Sequence, residues 1–144
     1  MAVIEDNKHF YVGLKAFIGK GDALLILRES EKFDGGGKWE LPGGRIGNDE
    51  DDKTLQEVML REVEEECGKA LRVKVGDIVH VFRRQFANGE WVFLTGFDCE
   101  YLSGEVELSD EHCEYAWITQ SDMEKYEFVK GYKEAIEILF SKKR

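Results

Sequence analysis

Apolar residues in the first part of the chain fall into short runs that glycine-containing turns separate. The stretch from His9 to Gly19 mixes aromatic and β-branched residues, and Ala23 to Leu27 is an unbroken apolar run. The segment Gly19-Lys20-Gly21-Asp22 between the two runs has the composition of a tight turn. The pattern therefore predicts two strands that are joined as a hairpin.

A second hairpin is predicted in the second half of the chain. Leu71 to Phe86 and Trp91 to Leu102 are rich in β-branched and aromatic residues, and Asn-Gly between them is a strong turn signal. Tyr115 to Ile118 is a candidate short last strand, and Lys130 to Lys142 carries apolar residues at helical spacing. Strands and helices thus interleave, which predicts one α/β or α+β domain over residues 1–144.

Between the hairpins lie a glycine-rich segment and the segment with the strongest helical character. Residues 34–37 read Asp-Gly-Gly-Gly, for which we predict a mobile loop, and a short strand is predicted over residues 38–41 before Pro42. From about Asp52 to Cys67 the chain holds good helix formers with no glycine or proline. Gly68 then provides a typical helix stop, so the sequence predicts a helix that ends there.

Composition and charge narrow the possible partners and compartments. Hydrophobic residues make up 42% and aromatic residues 12% of the 144 residues, which is typical of a globular protein. The formal net charge of −10 opposes binding to a nucleic-acid polymer, and no apolar run is long enough to span a membrane. The three cysteines lack metal-type spacing and fit reduced thiols, so a cytoplasmic location is expected.

The acidic residues are concentrated in and just before the predicted helix. Between Asp49 and Glu66 there are nine acids and only two basic residues, so most of the net charge is local. On a helical wheel Glu62, Glu65 and Glu66 share the face of the apolar residues. Carboxylates turned inward repel one another unless a cation compensates, and Mg²⁺ or Mn²⁺ takes oxygen ligands. The helix therefore predicts a divalent metal site, with a solvated helix stabilised by salt bridges as the alternative.

The region around this helix resembles the Nudix box, whose pattern is G-x5-E-x7-R-E-U-x-E-E-x-G-U with U apolar. The segment Arg61-Glu-Val-Glu-Glu-Glu-Cys-Gly68 matches every fixed position of the core, and Gly44 and Glu50 fit the opening. Ten residues instead of seven separate Glu50 from the core. Either three residues are inserted in the loop, or Lys53 takes the place of the first glutamate. The last apolar position is occupied by Lys69.

The resemblance extends over most of the chain, because residues 23–28, 38–44 and 111–117 also look like Nudix segments. It implies an α/β/α sandwich around a mixed β-sheet, in which the box forms a loop, a helix and a loop. It also implies Mg²⁺-dependent hydrolysis, by water attack at phosphorus, of a small nucleotide. The substrate would be a nucleoside triphosphate or a nucleoside diphosphate linked to another moiety. Family members often dimerise, so the resemblance allows a homodimer.

The resemblance also implies roles for individual box residues. Glu65 and Glu66 would be metal ligands, and Glu62 would be a third ligand or the general base. Arg61 would orient these glutamates without taking part in the chemistry itself. The backbone of Gly44 would approach the metal.

Residues outside the helix would contact the substrate. Gly43 and Gly44 would form the turn that lets the backbone come close to it. Arg28, at the end of an apolar strand, resembles a family arginine that contacts phosphate, and a guanidinium suits that task. Arg83 and Arg84 are adjacent on a predicted strand, so they point to opposite faces and at most one of them is expected in the site.

Some members of the family use an additional acid from a late loop as base or ligand. Asp110, Glu111 and Glu114 are the candidates here, and Glu111 is preferred, also as a substrate contact. His112 lies beside them, and we expect a histidine in such a loop to be solvated.

The resemblance restricts the substrate only in part. Between Leu71 and Trp91 there is neither proline nor tyrosine, so ADP-ribose and dinucleoside polyphosphates receive no support from the diagnostic residues of those subfamilies. An isopentenyl-diphosphate isomerase would need a cysteine before the box, and the first one is Cys67. The alternative to a hydrolase is a Nudix-fold module that binds a nucleotide without hydrolysing it.

Overall fold

A computed structural model describes residues 6–33 and 36–142, and most of its strands and both α-helices lie close to the positions that the sequence pattern predicts, whereas β4 and the 3₁₀ helix given below were not predicted. The elements, in chain order, are β1 (Tyr11–Lys20), β2 (Ala23–Glu29), β3 (Trp39–Glu40), β4 (Gly43–Arg45), α1 (Leu55–Cys67), β5 (Arg72–Gln85), β6 (Trp91–Ser103), β7 (His112–Ile118), a 3₁₀ helix (Gln120–Lys125) and α2 (Tyr132–Lys142). Asp34 and Gly35 of the predicted mobile loop lie outside the described residues.

The strands form one mixed sheet in the order β3-β2-β1-β6-β5. β1 and β6 are parallel, whereas the other pairs are antiparallel. The β1–β2 hairpin pairs only next to its turn, where Gly19 lies opposite Leu24 and Lys20 opposite Ala23. Beyond this point β1 pairs with β4, and β2 pairs with β7. The divergence of β1 and β2 brings the glycine turn of β4 and the start of β7 into the same part of the molecule.

The two helices cover opposite faces of the sheet. α1 packs on the side chains of Leu14 and Ile18, and α2 packs on the face that carries Phe17, as the alternation along β1 requires. The expected α/β/α sandwich with a mixed sheet is thereby confirmed. Cys67, the last residue of α1, is fully buried, which agrees with its expected packing role. Within the described part of the chain, no helix has the length together with the apolar character that crossing a bilayer requires.

α1 begins three residues later than predicted because a capping box fixes its start. The Thr54 side chain accepts a hydrogen bond from the Glu57 N–H, and the Glu57 carboxylate accepts one from the Thr54 N–H. The helix ends as predicted at Gly68, which has φ of 85°. α2 begins at Tyr132, and β7 begins at His112, three residues earlier than the predicted last strand.

Candidate active site

Acidic side chains from α1 and from the loop before β7 meet at a cavity of about 330 Å³. It is lined by Glu62, Glu65, Glu66, Ser109, Asp110 and Glu111. Glu62 and Glu66 are buried, with 7% and 6% exposure, as the helical wheel predicts. The Glu65 side chain is 59% exposed, so it lies at the rim and does not point inward with the other two. The cavity therefore combines two buried carboxylates, the more exposed one of Glu65 and the loop acids.

The turn at the start of β4 lies directly against the two buried carboxylates. Gly43 has φ of 140°, and a Cβ there would come within 1.9 Å of the Leu14 carbonyl oxygen, so only glycine fits. Its N–H donates to Glu66 Oε1 at 2.8 Å. A Cβ on Gly44 would come within 2.4 Å of Glu62 Oε2. The absence of the two side chains thus allows the turn to lie against β1 at Gly43 and against the Glu62 carboxylate at Gly44.

Arg61 links three acidic residues on one side of the cavity. Its guanidinium contacts Glu62 Oε1 at 2.7 Å, Glu65 Oε1 at 2.8 Å and Glu50 Oε1 at 2.7 Å. Glu50 is buried and also accepts a hydrogen bond from the Gly47 N–H. Lys53 stands 3.7 Å from Glu50 with its side chain 42% exposed. Arg61 is therefore paired with Glu50, which favours the alternative in which three residues are inserted in the loop.

Burial dominates the electrostatics of the two inner carboxylates. Loss of hydration raises the pKa of Glu66 to about 8, although Lys15, His112 and the Gly43 N–H act to lower it. Burial also raises the pKa of Glu62, and Arg61 acts in the opposite direction. The pKa of Arg61 is raised, and its hydrogen bond to Glu50 makes the largest contribution. The carboxylates of the cavity are thus only partly compensated by the cations around them.

The residues of this cavity fit a hard divalent cation. The donor set consists of carboxylate oxygens with a backbone turn beside them, which is the chemistry that Mg²⁺ and Mn²⁺ prefer. Ligand atoms of Glu66, Glu111 and His112 lie within 4.8 Å of one another. Because Gly44 has no side chain, its backbone lies directly against the Glu62 carboxylate. The raised pKa of Glu66 indicates that the buried acid lacks a full counter-charge.

His112 is buried, with 5% exposure, and the expectation that it is solvated is wrong. β7 starts at this residue, and its Nε2 lies 2.9 Å from Glu40 Oε2. Burial alone would raise the pKa of Glu40, but Lys15 and His112 lower it to about 2. Sequence reasoning passed over Lys15 and Glu40. The sequence does contain a signal for Lys15, because a lysine within an apolar strand is expected to be buried with a partner and not to be solvated.

The predicted substrate arginines occupy different surroundings. Arg84 lines a second cavity, of about 170 Å³, next to Gly44, whereas Arg83 is exposed and lies over the Trp91 ring. This agrees with the expectation that at most one of the pair faces a site. Arg28 is hydrogen-bonded to Glu114 and to the Gly37 carbonyl, and it lines neither cavity. Its role in phosphate binding stays a prediction.

Comparisons with known proteins agree with this arrangement. The family model of the NUDIX domain matches residues 8–139. The nucleoside triphosphatase NudI of Escherichia coli O17:K52:H18 (strain UMN026 / ExPEC) is 28% identical over 102 residues, which cover 63% of this chain and 68% of that protein. The human 8-oxo-dGDP phosphatase NUDT18 is 29% identical over 113 residues, which cover 78% of this chain but only 33% of that protein. The chain thus spans about a third of the length of NUDT18.

A solved structure has the same fold over nearly the whole chain. The crystal structure of a MutT protein from Methanosarcina mazei Go1 superposes with a TM-score of 0.78 at 30% identity, and the match covers 95% of this chain and 96% of that one. An ADP-ribose pyrophosphatase from Streptococcus suis has a TM-score of 0.68 at 20% identity, which indicates a shared fold.

Proposed function

The chain belongs to the NUDIX domain family and is a hydrolase acting on phosphoric anhydrides, and on this basis we propose that it cleaves the diphosphate of a small nucleotide. The substrate is a nucleoside triphosphate or a nucleoside diphosphate linked to another moiety. The observation that carries the proposal is the meeting of Glu62, Glu65 and Glu66 with Glu111 at one cavity. The names of NudI and NUDT18, a nucleoside triphosphatase and an 8-oxo-dGDP phosphatase, support a nucleotide substrate.

We propose Mg²⁺ as the cofactor, with Mn²⁺ as a substitute. Glu62, Glu65 and Glu66, whose side chains line the cavity, would hold it together with the backbone of Gly44, which lies against Glu62. When bound, the ion neutralises phosphate charge and assists deprotonation of the attacking water.

The chain's own groups then position the reactants and accept a proton. The water oxygen forms a bond to phosphorus, the P–O bond of the anhydride breaks, and the second phosphate group leaves with the electron pair of that bond. Glu62 and Glu111 are the candidates for the base that takes the proton of the water, because both line the cavity. Arg61 is a positioning residue, as its guanidinium is engaged with Glu50, Glu62 and Glu65.

Product analysis tests this proposal directly. The protein is incubated with nucleoside triphosphates, nucleotide sugars, ADP-ribose and dinucleoside polyphosphates, each with Mg²⁺ or with a chelator, and the products are separated by ion-exchange chromatography. Release of a nucleoside monophosphate from one substrate class, lost on addition of chelator, is the expected result. If every compound stays intact while a nucleotide binds without metal, the chain is a binding module.

The variant Glu65→Gln separates the hydrolase from the binding module. For a hydrolase we expect loss of Mg²⁺-dependent turnover by about 100-fold, because removal of a metal-binding carboxylate weakens stabilisation of the transition-state charge. For a module that binds nucleotide without metal, the affinity for nucleotide would stay within about two-fold of the wild type.

A further inference from the structure

Three polar residues near Glu66, two of them buried and one largely buried, have no part in the chemistry proposed so far. Lys15 comes from β1, Glu40 from β3 and His112 from β7. Lys15 and His112 are 7% and 5% exposed, and the Glu40 side chain is 13% exposed. A buried charged group needs hydrogen bonds or ion pairs as compensation. The partners of these three residues therefore indicate which parts of the site they hold in place.

Lys15 holds the turn at Gly43 and Gly44 in place through hydrogen bonds. Its ammonium group donates to Glu40 Oε1 at 3.2 Å, to the Leu41 carbonyl oxygen at 3.2 Å and to the Gly43 carbonyl oxygen at 3.1 Å. An ammonium group has three N–H donors, so all of them are engaged within the protein. Because Gly43 in turn donates its N–H to Glu66, Lys15 fixes the turn from which one buried carboxylate is held.

His112 connects Glu40 to the loop that carries Glu111. Its Nε2 lies 2.9 Å from Glu40 Oε2, which fixes the orientation of the ring. Its Nδ1 is buried and has no hydrogen-bond partner among the described residues. Ligand atoms of His112, Glu66 and Glu111 all lie within 4.8 Å. The ring therefore stands against a carboxylate of α1 and next to the loop acid that precedes it in the chain.

We propose that Lys15, Glu40 and His112 form a buried positioning network that fixes the Gly43 turn and the Glu111 loop on either side of Glu66. The inference rests on the proposed function, because it assumes that Glu66 and Glu111 serve a cation and a substrate at this cavity. Glu40 is the centre of the network, since one of its oxygens contacts Lys15 and the other contacts His112. His112 is a positioning residue and not the base.

A consequence of this arrangement is that the network acts on the metal site through geometry. The Gly43 turn and the Glu111 loop are more than sixty residues apart in the sequence, and Lys15–Glu40–His112 joins them through side-chain contacts. Supporting contacts of this kind change metal affinity or activity by about 10- to 100-fold when they are removed. Loss of the network should therefore weaken cation binding in the absence of nucleotide.

The test uses His112→Phe, which keeps a ring of similar shape and removes both nitrogens, and His112→Gln, whose amide can still donate toward Glu40. The matched control is His80→Phe on β5, outside both cavities. Mn²⁺ binding to each full-length protein is measured by electron paramagnetic resonance without nucleotide, and kcat and KM are measured with Mg²⁺. Circular dichroism verifies that each variant is folded.

We expect His112→Phe to bind Mn²⁺ at least about 10-fold more weakly and to have a lower kcat than the wild type. The KM for the nucleotide should change by less than about three-fold. His112→Gln should recover part of the affinity, and His80→Phe should match the wild type. A folded His112→Phe with wild-type Mn²⁺ affinity and kcat would overturn the inference.

The remaining outcomes are also decisive. If His112→Phe does not fold, Glu40→Gln replaces it, because glutamine keeps the shape of the side chain and removes its charge. Wild-type Mn²⁺ affinity in a folded Glu40→Gln protein overturns the network, and weakened affinity supports it. If the wild type itself neither binds Mn²⁺ nor hydrolyses a nucleotide, the proposed function fails, which separates that failure from failure of the network.

Discussion

At the scale of single residues, Glu66 combines a position suited to a cation with a cost to the stability of the metal-free chain. Its side chain is 6% exposed, and burial raises its pKa to about 8. A group whose pKa is higher in the folded than in the unfolded state favours folding fully only below its unfolded pKa. That contribution is lost as the pH rises through the folded pKa, so Glu66 opposes folding most strongly above about pH 8.

The variant Glu66→Gln should therefore stabilise the metal-free protein. Glutamine keeps an oxygen that can accept the Gly43 N–H and removes the buried charge. Near pH 8 and with chelator present, we expect the free energy of unfolding in urea to rise by about 1 to 3 kcal/mol. The gain should shrink toward pH 5, where the wild-type carboxyl is protonated in the folded state. A loss of stability at pH 8 would contradict this interpretation of the buried carboxylate.

Glu40 is predicted to show the opposite pH dependence. Lys15 and His112 hold its pKa near 2 against the effect of burial, so it stabilises the fold above its unfolded pKa of about 4.5 and ceases to do so as the pH falls toward 2. Glu40→Gln leaves Lys15 buried without its anionic partner, which should cost about 3 to 5 kcal/mol.

Urea unfolding at a series of pH values checks this second expectation. The difference in unfolding free energy between wild type and Glu40→Gln should reach its full value above about pH 5 and should decrease at lower pH. Glu124→Gln is the control, because Glu124 forms an exposed ion pair with Lys133 and should change stability by less than about 1 kcal/mol. A difference that stays constant down to pH 3 would show that the Glu40 charge does not stabilise the fold.

At the scale of secondary structure, the turn at the start of β4 has the strictest requirements. A Cβ on Gly44 would collide with the Glu62 carboxylate at 2.4 Å, whereas one on Gly43 would collide with backbone at 1.9 Å. A carboxylate at the end of a side chain can move aside more easily than a strand can. The two positions should therefore differ in whether a substitution affects the site or the fold.

Gly44→Ala is expected to displace the Glu62 carboxylate and to lower Mg²⁺-dependent turnover by at least about 10-fold, with a small loss of stability. Gly43→Ala should instead destabilise the fold strongly, because its φ of 140° and its contact with β1 both exclude a side chain. Kinetics and thermal unfolding of both variants provide the comparison. Equal losses of stability at the two positions would contradict the distinction.

The elements that the sequence predicts well are those in which neighbouring residues determine the outcome. Apolar runs between turn residues locate β1, β2, β5 and β6, helix-forming residues before Gly68 locate α1, and the helical wheel correctly turns Glu62 and Glu66 inward. Burial of His112 was not predictable in this way, because it depends on β7 pairing with β2 beside β3. The same holds for the choice between Glu50 and Lys53 at the position of the first box glutamate, because the path of the loop determines which of them reaches Arg61.

At the scale of the whole molecule, the sheet assembles the cavity from segments that are distant in the sequence. α1 contributes buried carboxylates, the glycine turn brings backbone against them, and the loop before β7 adds Glu111. The chain has a formal net charge of −10, and a nucleotide phosphate is also an anion. Like charges repel, so a divalent cation between the cavity and the substrate would compensate both.

The measurement that addresses this assembly most directly is the rate of nucleotide hydrolysis as a function of Mg²⁺ concentration for three proteins. They are the wild type, Glu66→Gln and the control Glu64→Gln, which carries the same substitution on the same helix but outside the cavity. We predict Mg²⁺-dependent turnover in the wild type and in Glu64→Gln, and a rate at least about 100-fold lower in Glu66→Gln. Hydrolysis that persists in chelator, or that Glu66→Gln leaves unchanged, would contradict a cation-dependent reaction at these carboxylates.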